Sequence, residues 1–403
     1  MSSADPTPAL RRDIGLLLFA LYGAGNIIGA GIYVLVGEVA GAAGDLAPLA
    51  FCLAAVVAGL SGFSYGELAA RYPVAAGEAV YLYKAFQLRW LSTGVGVLIL
   101  LVAVVSAATM ARGFVGYFNL FVPLDSRLVI SILLGGLTLL AVRGIAESAR
   151  VAAALTLLEA GGLAWIIGVA SPNLGSGIEQ VAQAVATVAD PASAIIAGAF
   201  LAFFAFIGFE DMVSIAEEVK RPERNMPRGI LLAFGFAGVL YLLITVVAIA
   251  TLPVVELAAS EAPLAEVYRA ATGRPALFIG VIGLVAVING ALIQIIKSAR
   301  ILYGMSRNGW LPAALGVVNA RTRTPLLATL LAGGVVLGFA LMLPLTALAR
   351  LTSSLVLVVF MLVNIALIRL HRTQPRPAGR WVLPVWVPVL GMLASGAMLI
   401  AGV

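Results

Sequence analysis

Long apolar stretches free of charge recur along the whole chain, at 14–37, 46–66, 90–111, 128–142, 151–178, 192–209, 229–255, 276–296, 325–349, 351–368 and 381–403. The fifth is interrupted only by Glu159. None alternates with the period of two that marks a barrel strand, and each is near the roughly 20 residues a helix needs to cross a bilayer. The pattern predicts an all-α integral membrane protein with eleven crossings, because in hydrocarbon only helices and closed barrels satisfy their own backbone. Run 128–142 is the weakest and needs flanking residues to reach both interfaces. Run 14–37 exceeds the core of about 7–15 residues in a cleaved signal. A retained first helix is therefore expected after a short polar segment at 1–13, although the small residues from Ala20 to Gly25 leave cleavage open.

Composition fits the same solvent. Of 403 residues, 62% are hydrophobic and 11% charged, against roughly 25% charged in soluble domains. The isoelectric point of 9.7 invites a nucleic-acid reading, but the basic residues sit singly or in small groups between apolar runs rather than along one stripe. No nucleic-acid partner is expected. Cys52 is the single cysteine, so no intramolecular disulfide forms.

Lysine and arginine resist translocation, and their distribution orients the chain. With the amino terminus placed in the cytoplasm, only Arg112, Arg127, Arg269, Arg274 and Arg350 fall outside, five of the 25 basic residues, which leaves twenty inside. This asymmetry predicts a multi-pass protein of a bacterial-type cytoplasmic membrane, with a cytoplasmic segment at 1–13 and an extracytoplasmic carboxyl terminus.

Two spans break the membrane rules. The first gathers Gly23, Gly25, Asn26, Gly29 and Gly31 near its middle, each glycine weakening a helix by about 1 kcal/mol relative to alanine. Two readings fit: an unwound break facing water and substrate, or a GxxxG packing face through Gly25 and Gly29. A dinucleotide site lacks its βαβ unit, and no cofactor is expected. The sixth span is interrupted at Gly208, Phe209, Glu210 and Asp211 before apolar residues resume. Either this is a second break, or the helix reaches the inner interface at Glu210. Five spans separate the two irregular ones, as in an inverted repeat of five plus five helices with its site at the midplane. The expected division is 14–170 for the first repeat, 192–370 for the second, and 381–403 for an additional helix.

At this point the sequence resembles the amino acid/polyamine/organocation transporter superfamily, whose fold is the LeuT-like inverted repeat with broken helices 1 and 6. The resemblance rests on Gly25-Asn-Ile-Ile-Gly-Ala-Gly-Ile-Tyr33, Tyr65-Gly-Glu-Leu-Ala-Ala-Arg-Tyr-Pro73, Gly144-Ile-Ala-Glu-Ser-Ala-Arg150, Phe203-Phe-Ala-Phe-Ile-Gly-Phe-Glu210, the segment from Ala216 to Pro227, and that from Ser298 to Pro312. It implies that amides of Gly29, Ala30 and Gly31, beside Asn26, hold a substrate carboxylate at a half-helix amino terminus. Carbonyls of Ile27, Phe204 and Ile207 would hold its ammonium. Phe206 and Phe209 become candidate aromatic gates, or ordinary packing. Leu100, Val104 and Ala107 match the face that lines the site in relatives, and their apolar character disfavours a charged side-chain pocket. Glu210 matches an inner-gate position, with Asp211 expected to be a solvated neighbour.

The departures bear on coupling. Relatives usually have twelve spans rather than eleven. Some proton-coupled ones carry a lysine in span five, where this chain has Glu159, twelve residues after Glu147. At that depth desolvation disfavours a carboxyl's charged form, which suits a proton carrier. A neutral acid bonded to a neighbouring helix, or a partner of Arg112, is the structural alternative. Run 276–296 has no serine or threonine, and Asn289 and Gln294 are its only polar side chains, which favours protons or exchange over sodium. No metal cluster or nucleophile–base pattern accompanies the lone His371, so an enzyme is disfavoured. Nothing resembles a carbonyl filter or ring of one charge, so a channel is disfavoured too. The expected activity is proton-coupled secondary transport of an amino acid or related amine by alternating access, with a non-transporting sensor or a membrane enzyme as the alternatives outside transport. An ion-independent exchanger is the alternative within transport. The partners are a small-molecule substrate, protons and membrane lipid, and the oligomeric state is left open.

The charge asymmetry yields a direct check on the span count. Reporter fusions at Val403 should be active only outside the cytoplasm, and fusions active only inside would remove one span.

Overall fold

The computed structural model describes residues 12–74, 77–143, 149–307, 309, 311–374 and 381–402. Among them the regular elements are helical: α1 (Leu16–Ala43), α2 (Ala47–Arg71), α3 (Gly77–Phe86), α4 (Arg89–Asn119), α5 (Ser126–Val142), α6 (Ala149–Ala170), α7 (Leu174–Thr187), α8 (Pro191–Ala202), α9 (Pro222–Thr251), α10 (Val254–Ala259), α11 (Pro263–Thr272), α12 (Leu277–Arg307), α13 (Leu326–Met342), α14 (Leu345–Thr373) and α15 (Trp386–Gly402). Each apolar run falls on a helix. Among the described residues, seven helical stretches are by length and composition able to cross a membrane, and four apolar ones are shorter: Leu16–Gly29, Ser126–Val142, Leu326–Met342 and Trp386–Gly402.

Local chemistry sets the ends. The Asp125 carboxylate accepts from the amides of Arg127 and Leu128 at 3.0 and 3.1 Å and so caps α5. Asp190 caps α8 through the Ser193 amide, with Pro191 in the first turn. Gly273, in the left-handed region, ends α11. The run at 325–349 divides differently from its charge pattern. Pro344 cannot continue a helix from α13, so the turn lies there, and Arg350 is inside α14 rather than between two spans. The run at 151–178 likewise ends its first helix at Ala170, and the Ser171–Asn173 turn leads into the separate α7. Between α10 and α12 the helix expected near 263–273 is present, with Leu264, Ala265 and Val267 buried.

α1 packs against α6, α8 and α9, while α4 packs against α12 and α14. Buried polar pairs tie the bundle. Asn364 of α14 donates to Ser61 Oγ and accepts from Ser64 Oγ of α2, at 2.9 and 2.6 Å. At the end of α2, the fully buried Glu67 carboxylate takes Arg71 at 2.8 Å, His371 at 2.7 Å and the Leu383 amide at 2.7 Å. One acid thereby joins α2, α14 and the approach to α15. The chain ahead of α1 is held too: the Ile14 amide donates to the Glu218 carbonyl, and Lys220 donates back to Ile14.

Candidate functional site

Both irregular spans are broken. Gly29 has non-helical backbone angles inside α1 (φ −2°, ψ −142°). After α8 the chain tightens into a 3₁₀ turn at Phe203–Phe206, opens at Ile207 to Phe209, and continues as a 3₁₀ segment at Glu210–Glu218. The two breaks lie against each other. Gly208 has φ +128°, and a Cβ there would run into the Asn26 carbonyl. A Cβ on Gly31 would sit 2.7 Å from Ala205 Cα. Glycine is required at both places, so that backbone can meet backbone.

The freed backbone groups find partners from outside the breaks. Tyr241 of α9, fully buried, places its hydroxyl 2.6 Å from the Ile27 carbonyl and 3.0 Å from the Ala205 carbonyl. The Gly208 amide donates to Glu210 Oε2 at 2.8 Å. Two features of the break are unfilled. The Asn26 side-chain nitrogen makes no hydrogen bond to the described residues, and a Cβ on the buried Gly29 would meet nothing within 4 Å. The Ala30 side chain and Glu147 fall outside the described residues.

Above the break, α1 continues into a second polar contact. The Tyr33 hydroxyl donates to the Glu159 carbonyl of α6 at 2.7 Å, and the Tyr117 hydroxyl donates to the Tyr33 carbonyl at 2.7 Å. Glu159 is fully buried. Arg112 donates to the Leu341 carbonyl at 3.2 Å.

Next to the second break is a cavity of about 930 Å³. Its wall includes Glu78 of α3, Glu210 and Asp211, and Lys297 of α12. Asp211 is buried, with 6% exposure. It forms an ion pair with Lys297 and accepts from Gln294 Nε2 at 3.1 Å. The expectation that Asp211 is solvated is therefore corrected: α12 covers it and supplies its countercharge. Glu78 accepts from the Tyr65 hydroxyl at 3.2 Å.

The expected residues thus separate into groups. Asn26, Ile27, Gly29 and Gly31 meet Phe204, Ile207 and their neighbours at the paired breaks, whereas Glu210 and Gln294 join the Lys297 cluster. Asn289 is half-buried one turn before Gln294, and Glu159 stands apart in α6. Phe206 and Phe209 are buried among Phe51, Tyr65, Phe234, Tyr241 and Phe360, the packing alternative, and neither lines the cavity. Val104 and Ala107 are buried in packing, and Leu100 packs beside the small cluster of Leu302, Leu315, Ala328 and Ala332. The α4 wall of the cavity is instead Arg89, Ser92, Gly96 and Ile99. The hydroxyl argument also narrows. α12 runs past the apolar stretch, and Ser298 lies within it, donating to the Gln294 carbonyl at 2.8 Å.

Lys297, Glu78 and Tyr241 escaped the sequence reading. Lys297 had a signal: it lies three residues after Gln294, on the same helix face. Tyr241 was a hydroxyl inside an apolar run, and such a group needs a partner there.

Comparison with known proteins agrees with this architecture. The amino acid permease family model matches residues 14–403. An uncharacterized transporter of Mycobacterium tuberculosis is 31% identical over 99% of this chain and 91% of that protein. The branched-chain amino acid permease of Bacillus subtilis is 28% identical over 96% and 86%, and the methylthioribose transporter of the same species 27% over 99% and 89%. In fold, the chain is similar to the manganese transporter of Eremococcus coleocola, with a TM-score of 0.61 at 15% identity over 100% of this chain and 90% of that one.

The contact between the breaks makes a stability prediction. Gly208→Ala should lower thermal stability by at least about 1–2 kcal/mol, the ordinary cost of a side chain at positive φ, and by more if the Asn26 backbone cannot give way. Thermal unfolding in detergent measures it; an unshifted midpoint would mean the breaks do not touch.

Proposed function

The chain belongs to the amino acid permease family, and from that premise we propose that this multi-pass membrane transporter carries an amino acid or related amine by alternating access, coupled to protons. The observation that carries the reading is the meeting of two broken helices, with the Asn26 amide and the space at Gly29 left unfilled between them. An α-amino acid is a dipole, and paired helix breaks offer amides for its carboxylate and carbonyls for its ammonium. Gly29, Ala30 and Gly31 hold the carboxylate, helped by Asn26. The ammonium falls to the carbonyl of Ile207, and to those of Phe204 and Ile27 only where they are shared with the Ile207 amide and with Tyr241.

A five-plus-five repeat is the architecture that fits this pairing. We match α1, α2, α4, α5 and α6 with α8, α9, α12, α13 and α14, and α15 is the eleventh crossing. The first member of each set is broken. In support, the third members, α4 and α12, both have 31 residues, and the fourth, α5 and α13, both have 17. With the amino terminus cytoplasmic, the cavity beside Lys297 opens inward, and the chain is in an inward-facing state.

Coupling is assigned to Glu159. It is fully buried, and its own carbonyl receives the hydroxyl of Tyr33, four residues beyond the break. A change of charge at Glu159 thereby acts next to the half of α1 that must move. Glu210 bridges the second break and the Lys297 cluster, as suits a group whose partners change between inward and outward states.

Uptake into proteoliposomes tests the assignment, using labelled amino acids and amines with an imposed pH gradient, a sodium gradient or internal substrate. Accumulation should follow the pH gradient. Glu159→Gln should keep exchange of internal for external substrate while losing gradient-driven accumulation by at least about tenfold, that is, about 1.4 kcal/mol of coupling. If Glu159→Gln still concentrates substrate when only a pH difference is supplied, the residue is structural and the proton binds elsewhere.

A further inference from the structure

The glycines of α4 and α12 are of two kinds. Where the helices meet at Met110 and Tyr117, glycines are contact points: a Cβ on Gly283 would sit 2.7 Å from the Tyr117 ring, and one on Gly290 2.9 Å from the Met110 sulfur. Gly96 of α4 is different. A Cβ there would find one atom within 4 Å, the Met305 sulfur of α12 at 3.9 Å, and both residues line the cavity. Gly304, which also lines it, would meet nothing within 4 Å among the described residues. Glycine inside a helix costs about 1 kcal/mol relative to alanine, and at these two positions no close packing offsets that cost. The missing side chains leave width. The α4 wall, with Ser92 and Gly96 between Arg89 and Ile99, follows helical spacing, so one face lines the cavity for about 15 Å, half of a hydrocarbon core of about 30 Å. Arg89 is exposed at one end of this face, and at the other Ile99 borders a second space of about 10 Å³ together with the buried Glu210. The face thus runs from the rim to the second break.

We propose that Gly96 sets the bore of the inner release path, and that the substrates carry a large apolar side chain. The cavity, at about 930 Å³, lies near the top of the range of about 300–1,000 Å³ for small-ligand pockets. Beside Gly96 and Ile99 of α4, the α12 wall contributes Ile296, Ile301 and Met305, so an apolar side chain leaving the breaks passes between surfaces of its own kind. Gly96 gives room at the middle of that path. Met305 opposite it is unbranched and has three rotatable bonds, so it adapts to the shape that passes. The proposal rests on the transport reading in its inward-facing form and narrows the substrate class by size.

Cys52 is the single cysteine, so Gly96→Cys in a Cys52→Ser background carries one thiol, to which groups of graded size can be attached after folding is complete. A membrane-impermeant maleimide should label it from the cytoplasmic side in inverted vesicles; a thiol that stays unlabelled from that side overturns the proposal. Uptake of alanine, leucine, phenylalanine, lysine and putrescine into proteoliposomes is then compared. Wild-type protein should carry leucine or phenylalanine at least as fast as alanine, and uptake confined to alanine, lysine or putrescine overturns the proposal. A benzylthio adduct at position 96 should lower phenylalanine turnover relative to alanine turnover by on the order of tenfold or more, and a methylthio adduct by much less. Equilibrium binding of both substrates should persist, because the adduct narrows the path and leaves the breaks intact; loss of binding instead would put Gly96 in the binding site and overturn the idea. Should the thiol variant be inactive before modification, Gly96→Ala and Gly96→Phe supply the same series. A purely structural effect slows every substrate by one factor, so an unchanged ratio refutes the proposal alone. Wild-type protein that takes up nothing from the panel refutes the transport reading, and this proposal with it.

Discussion

Backbone amides and carbonyls in hydrocarbon must find partners within the protein, and the architecture around the two helix breaks follows from that requirement. Interrupting α1 at Gly29 and the sixth span at Ile207 to Phe209 frees groups that water cannot reach. The chain answers by bringing the breaks together, so that one tyrosine serves both: the Tyr241 hydroxyl lies within hydrogen-bond distance of Ile27 and Ala205 carbonyls on the two segments. Glu210 closes the remaining Gly208 amide from two residues away. Each such bond is worth only about 1 kcal/mol net, but a buried group left unmatched costs more. That asymmetry explains why glycines, which permit the close approach, and a hydroxyl on a third helix occur together.

Two buried acidic clusters show how satisfaction divides rigid parts from parts free to change. Glu67 is saturated by Arg71, His371 and the Leu383 amide, and it locks α2, α14 and the approach to α15 into one arrangement. Glu210 uses one oxygen on Gly208, while its other oxygen makes no hydrogen bond to the described residues. The cluster it shares with Asp211, Glu78 and Lys297 is open to a cavity. A saturated buried ion pair resists rearrangement, because any movement leaves a charge unpaired. An incompletely matched one beside water has other partners within reach. The chain is therefore pinned at one cluster and adjustable at the other, on elements that both lead from the broken spans.

The places where sequence reasoning slipped share a cause. Asp211 and Lys297 lie 86 positions apart, and each alone looks like a charge at the end of a span. Only the packing of α12 over the second break makes them a buried pair. Arg350 was taken for a boundary because charges usually mark one, yet a proline constrains the backbone directly, and the turn is at Pro344.

What the sequence by itself determined was whatever depends on local composition: a membrane solvent, helices at each apolar run, and two irregular places, at the glycine-rich centre of the first span and at Gly208, which the structure then shows to be breaks. These follow because hydrophobic run length and glycine content act on the chain without reference to distant residues. What only the tertiary structure decided was partnership. Which carbonyls Tyr241 serves, which acid Lys297 neutralises, and that His371 and the Leu383 amide join the local Arg71 on Glu67 are set by segments distant in sequence. The physical reason is that a polar group in an apolar run states a need for a partner, and packing alone selects which of the available groups meets it.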